Sequence, residues 1–113
     1  MNADSSRVEL LIPKDERLIA AIEPVVAHAG ERAGLSSEEW RQLAREATAA
    51  CEESFSRAAR NGNTNRQLRV LVDDFPTRVE IWIEPYAGSA AAGTQEASIR
   101  IVKEHSPSAH SKR

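Results

Sequence analysis

The chain has 113 residues, 41% of them hydrophobic and only 4% aromatic, with a formal net charge of −2. That length fits one domain whose Ala, Val, Ile and Leu core gains little burial per residue, so ordinary to marginal stability is expected, with dimerisation adding to it. The weak negative charge makes the chain a poor candidate for nonspecific nucleic-acid binding, which needs many cationic phosphate contacts. No apolar run is long enough to cross a bilayer as a helix.

Residues 1–6, Met1-Asn2-Ala3-Asp4-Ser5-Ser6, read as a disordered lead. They hold no basic stretch followed by an apolar one, so no signal peptide is expected. The single cysteine, Cys51, allows no internal disulfide, and a reducing cytoplasm is the expected location. Val8, Leu10 and Ile12 alternate as a strand closed by Pro13. From Lys14, Leu18, Ile22, Val25 and Ala29 follow helical spacing, with Ile19 and Val26 widening the stripe. Pro24 either kinks this helix or marks the first turn of a second segment. Gly30 and Gly34 weaken its end.

The next helix has the clearest signals. Ser36 and Glu39 have capping-box spacing. Trp40, Leu43, Ala44, Ala47, Cys51, Ser54, Phe55 and Ala58 form one stripe. Asn61-Gly62 is a stop signal, because both residues tolerate left-handed backbone. Leu68, Val70 and Val72 alternate, as do Val79, Ile81 and Ile83. Asp73-Asp74-Phe75-Pro76-Thr77 between them supplies turn chemistry, so a hairpin with a loop longer than two residues is expected. Gly88 through Gly93 is small and loop-like, Ile99 and Ile101 mark a last short strand, and residues 104–113 form a flexible tail. The whole reads as an α+β two-layer sandwich over residues 7–103, with helices on one face of a mixed, mostly antiparallel sheet.

Individual side chains carry simpler and sharper readings. Cys51, on the apolar stripe, reads as a buried structural thiol. His28, His105 and His110 lack metal-ligand spacing, and no metal site is expected. Glu53 and Arg57 stand four apart in the favourable acid-before-base order of a helical ion pair. Trp82 alternates away from Ile81 and Ile83, so it faces outward with Tyr86 close by, as a partner or dimer surface.

The order of elements, with Val8-Glu9-Leu10-Leu11-Ile12-Pro13, Ala33-Gly34-Leu35-Ser36, Glu52 through Ala58, Asn61-Gly62-Asn63, Leu68-Arg69-Val70 and Val79-Glu80-Ile81, resembles the GHKL-type ATPase fold. Gyrases, histidine kinases and heat-shock chaperones share that fold, and the likeness is greatest to its anti-sigma-factor serine-kinase branch. It covers roughly residues 7 to 85. In that family a helix glutamate acts as base or orients water, and an asparagine four residues on holds magnesium. Glu53 matches the glutamate, and Arg57 stands at the asparagine. A second register would use Glu46 and Ala50. In both, the metal ligand is missing, because guanidinium has only donors and a fixed charge. The family's Asp-x-Gly-x-Gly adenine turn matches Glu84-Pro85-Tyr86-Ala87-Gly88, with Glu84 at the Asp. Its glycine-rich lid is shortened to Ser89 through Ser98.

The resemblance thus implies a site formed by Glu53, Arg57, Asn61, Glu84 and Gly88, with Glu53 as a vestigial catalytic residue. The implied function is a degenerate regulatory or protein-binding module without a cofactor. Its partners would be an anti-sigma-factor antagonist, a sigma factor or a second copy in a homodimer, with neither nucleic acid nor membrane. The alternative is an active anti-sigma-factor serine kinase using ATP and magnesium.

Overall fold

In a computed structural model that describes residues 6–64, 66–86 and 98–105, the first strand, β1, spans Ser6–Pro13. Ser6 therefore belongs to the fold rather than to the lead. Leu10 is half-buried and Ile12 buried, while Val8, near the far end, is exposed. Asp15 caps the next element, α1 (Glu16–Ala20), by accepting the Arg17 N–H at 2.9 Å.

A second helix, α2 (Ile22–Arg32), starts after Ala21. Pro24 lies in its first turn, which decides between the two readings of that proline. A proline ring clashes with the carbonyl four residues earlier, here that of Ala20, so the helix breaks and restarts. The break also moves the buried stripe. Ile19, Ile22, Val26 and Ala29 are buried, whereas Leu18 is 43% exposed and Val25 only half-buried. Ile19 and Val26, expected at the margin, are central.

Helix α2 ends in a Schellman motif. Leu35 N–H donates to the Gly30 carbonyl at 2.9 Å and Gly34 N–H to that of Glu31 at 3.2 Å. Gly34 takes the required positive φ of 85°. Gly30 does more than weaken the helix end. A Cβ there would lie 2.6 Å from the Trp40 Cβ, so the missing side chain sets how closely α2 approaches its neighbour.

That neighbour is α3 (Ser37–Arg60), whose capping box is complete. Ser36 N–H donates to Glu39 Oε1 at 2.7 Å, and Glu39 N–H donates to Ser36 Oγ at 3.1 Å. The far end is again a Schellman motif, with Asn63 N–H on the Ala58 carbonyl at 2.8 Å and Gly62 at φ 86°. Leu43, Ala44, Ala47, Cys51, Phe55 and Ala58 face the core.

Strands β2 (Gln67–Phe75), β3 (Arg78–Pro85) and β4 (Ile99–Glu104) complete a four-stranded sheet in the order β1-β2-β3-β4. Among the described residues every pairing is antiparallel rather than mixed. Phe75 pairs with Arg78, leaving only Pro76 and Thr77 as the hairpin loop, shorter than the alternation implied. Among the described residues no non-glycine residue has positive φ, so this loop is not one of the primed hairpin turns; proline before Thr77 pre-sets a negative φ instead. Asp73 and Asp74 are not turn residues. They are strand residues, and both are buried.

The helices pack on one sheet face, α2 against β2 and β3, α3 against β3 and β4. Leu68, Val70, Val72, Val79, Ile81 and Ile83 point into that layer, each at most 1% exposed. The other face carries the alternate residues. Glu104 closes β4, and His105 N–H donates to the Thr77 carbonyl at 2.8 Å, so residues 104 and 105 belong to the fold rather than to the tail.

Candidate nucleotide site and the bare sheet face

The positions at which the resemblance would place a nucleotide site divide between two sides of the molecule. Cys51, Ser54, Phe55 and Ala58 turn one face of α3 into the core, so Glu53 and Arg57 stand on the other. Glu53 Oε2 lies 3.3 Å from Arg57 Nη2 and 3.6 Å from Arg60 Nη2, with about half of each side chain in water. Exposed helical pairs of this kind contribute about 0.3–0.5 kcal/mol. Arg57 therefore answers the carboxylate of Glu53 and presents only donors. In the second register, Glu46 accepts a hydrogen bond from Gln42 at 3.3 Å, and Ala50 is half-buried. Asn61 is the C-cap of α3 and is exposed.

Glu84 is held on β3 by Arg69, whose Nη2 is 2.8 Å away, and accepts from Ser98 Oγ at 3.1 Å. Ile83 points into the helix layer, so Glu84 points to the opposite, bare face, which no helix among the described residues covers. The carboxylate at the position where the resemblance would put an adenine-reading Asp is thus on the face opposite α3. Among the described residues, Glu84 does not share a face of the molecule with Glu53 and Arg57. Tyr86 extends the ladder by donating its N–H to the Gln67 carbonyl at 2.9 Å. Gly88 and all of the shortened lid except Ser98 lie outside the described residues.

A cavity of about 260 Å³ opens between α1 and the last turns of α3, lined by Lys14, Asp15, Glu16, Ile19, Glu52, Phe55 and Ser56. Neither Glu53 nor Arg57 lines it. Among the described residues no group of three His, Cys, Asp or Glu side chains is placed to hold a metal ion. Burial pushes the Cys51 thiol up to about 12, with Glu52 adding to the rise, so the thiolate needed for nucleophilic chemistry is scarce at neutral pH.

The bare face holds the charged residues whose partners only the register reveals. Arg7 grips Asp73 with Nε at 2.6 Å and Nη2 at 2.8 Å. Asp73 lies beside Glu80, which accepts from Arg78 Nε at 2.8 Å and Arg100 Nη2 at 3.3 Å. Those bonds, Arg78 first, hold the Glu80 carboxyl below its ordinary pKa. Trp82 is half-buried between Leu71 and Arg100 on the neighbouring strands. The Arg100 guanidinium sits 5.4 Å from its ring centroid. Trp82 therefore faces away from the helices, as alternation implied. Asp74, one residue from Asp73, points the opposite way and ties three elements together. It accepts from Ser6 N–H at 3.1 Å, Ser6 Oγ at 3.1 Å and Arg32 Nε at 2.8 Å.

His105 Nδ1 lies 3.7 Å from Glu39 Oε1. Glu39 is held below its ordinary pKa, first by the Ser36 N–H and, against a burial penalty, also by Ser36 Oγ and His105. His28 is exposed on α2. No helix among the described residues is long and apolar enough to cross a membrane. No protein-family model matches this sequence, and no curated protein is similar to it.

Proposed function

We propose that the chain is a degenerate regulatory module of the GHKL ATPase type. It works in the cytoplasm by binding protein rather than Mg-ATP, in a partner-switching circuit whose other member is an anti-sigma-factor antagonist or a sigma factor. The circuit follows from the sequence resemblance. One observation carries the loss of nucleotide chemistry: Arg57, at the position of the metal-holding asparagine, is committed to Glu53 in a solvated ion pair. Magnesium needs oxygen ligands, and a guanidinium would meet it with like charge. The placement of Glu84 on the opposite sheet face supports the same reading.

Calorimetric titration with ATP and magnesium tests it. No heat of binding is expected at sub-millimolar nucleotide, and no phosphate should reach a serine of any partner. Arg57→Asn restores one acceptor to α3 but leaves Glu84 facing away, so it too should fail to bind. Magnesium-dependent binding by the wild-type chain would overturn the proposal and leave the active serine kinase in its place.

A further inference from the structure

Across the bare face, four apolar residues form a line, while Phe75 stands apart from it beside the hairpin loop with Arg78 over its ring. Leu11 on β1, Leu71 on β2, Trp82 on β3 and Val102 on β4 succeed one another from edge to edge. Leu71 and Trp82 are directly paired, and Leu11 and Val102 are each displaced by one outward-facing position, in opposite directions along the strands. The ends are the most open, Leu11 at 48% and Val102 at 38% exposed.

The charges on either side of this diagonal are unequal. On the side nearer the hairpin loop, Arg7 and Arg78 stand with Glu9, Asp73, Glu80 and Glu104, so anions exceed cations. On the other side, Arg69 and Arg100 stand with Glu84, so cations exceed anions. Rotation by half a turn about an axis lying along the diagonal returns the apolar line onto itself. The same rotation lays the anionic flank of one copy over the cationic flank of the other. A self-complementary patch of this kind is what a twofold interface requires.

We propose that this face binds a second copy of the chain, with the twofold axis running along Leu11, Leu71, Trp82 and Val102. The proposal rests on the reading that the protein acts by association, and it names the first partner. Four strands about 4.8 Å apart, each about eight residues long, offer a footprint of about 500 Å². That is below the roughly 800 Å² per partner of a standard interface, so assembly is expected at micromolar concentrations and above.

Sedimentation equilibrium of the full chain, from low micromolar to several hundred micromolar, tests this. A concentration-dependent dimer is expected, weakening as salt screens the flanks. Leu11→Glu and Val102→Glu place carboxylates on the axis, where each meets its own copy, and each should weaken the dimer at least tenfold. Leu18→Glu, at an equally open leucine on α1, should leave it unchanged. Both sites are solvent-exposed, and circular dichroism checks that each variant is folded. Facing sheets pack about 10 Å apart, so a short bis-maleimide should couple Val102→Cys to its own copy but not Leu18→Cys. Cys51, fully buried, stays out of the reaction. A chain that stays monomeric overturns the proposal. So does a dimer that resists both glutamates, or one that yields to only one of them, which would mark an edge-to-edge contact. The nucleotide titration is independent of each of these outcomes.

Discussion

Replacing Gly30 by alanine should destabilise the protein, against the ordinary effect of that change in a helix. Alanine normally gains about 1 kcal/mol over glycine in a helix interior. Here the added Cβ would lie 2.6 Å from Trp40 Cβ, 3.2 Å from Cγ and 3.4 Å from Cδ1. The closest of these is fixed to the α3 backbone, so no rotamer of Trp40 relieves it. The helices must move apart by roughly 1 Å to restore ordinary contact, and they share a core that includes Val26, Ala29, Leu43 and Ala47. Overpacking of this kind costs about 1–3 kcal/mol. With a contact this short, the upper end applies, and after the propensity gain the net loss is about 2 kcal/mol. For a chain of this size that lowers Tm by about 6–12 °C. Urea unfolding monitored by tryptophan fluorescence reads the change directly, since Trp40 is at the contact. Trp40→Ala keeps the offending Cβ, so the double variant should recover only part of the loss. A Gly30→Ala protein as stable as wild type, or more so, would refute the close-approach argument.

Three further outcomes follow from the buried polar groups. Asp74→Asn removes the charge that holds Arg32 and weakens the grip on Ser6; it should cost about 1–3 kcal/mol and speed hydrogen exchange in β1 before the rest of the sheet. Glu80 and Glu39 have folded-state pKa values below their ordinary range. Their stabilisation is complete above the unfolded value of about 4.3 and is lost as pH falls through the folded values, so an acid titration of stability should fall below about pH 4, and Glu80→Gln should flatten part of that fall. Cys51 should resist thiol reagents in the native protein and react at the rate of global unfolding; rapid labelling at neutral pH would contradict its burial.

The parts of the fold that were legible in sequence are those written locally. The capping box at Ser36 and Glu39, the glycine stop after α3 and the alternation in β2 and β3 each need only neighbours a few residues apart. The phase of α1 depends on Pro24, which breaks the helix and resets its rotation, so Leu18 lies outside the core and Ile19, expected at the margin of the stripe, lies at its centre. Asp73 and Asp74 have turn composition, yet their partners are Arg7 and Arg32, and only strand register brings those together. The same holds for the candidate site. Glu53 and Arg57 were readable as an ion pair at helical spacing. That Glu84 faces the other way depends on its parity relative to Ile83, which the family motif alone does not supply.

The distance in sequence between β1 and the strand it joins sets an order for folding. The β2–β3 hairpin closes over two residues, and α2 meets α3 across a short turn, whereas the bond from Ser6 to Asp74 spans 68 positions. Closing so long a loop carries an entropic cost that rises with the logarithm of its length, so high-separation contacts form late. β1 is therefore expected to dock last and to leave first. Each such departure uncovers the edge of β2, whose inward side is Leu68, Val70 and Val72. The unguarded moment of this protein is then the opening of its first strand, and an aggregation rate that tracks β1 hydrogen exchange rather than global stability would be its signature.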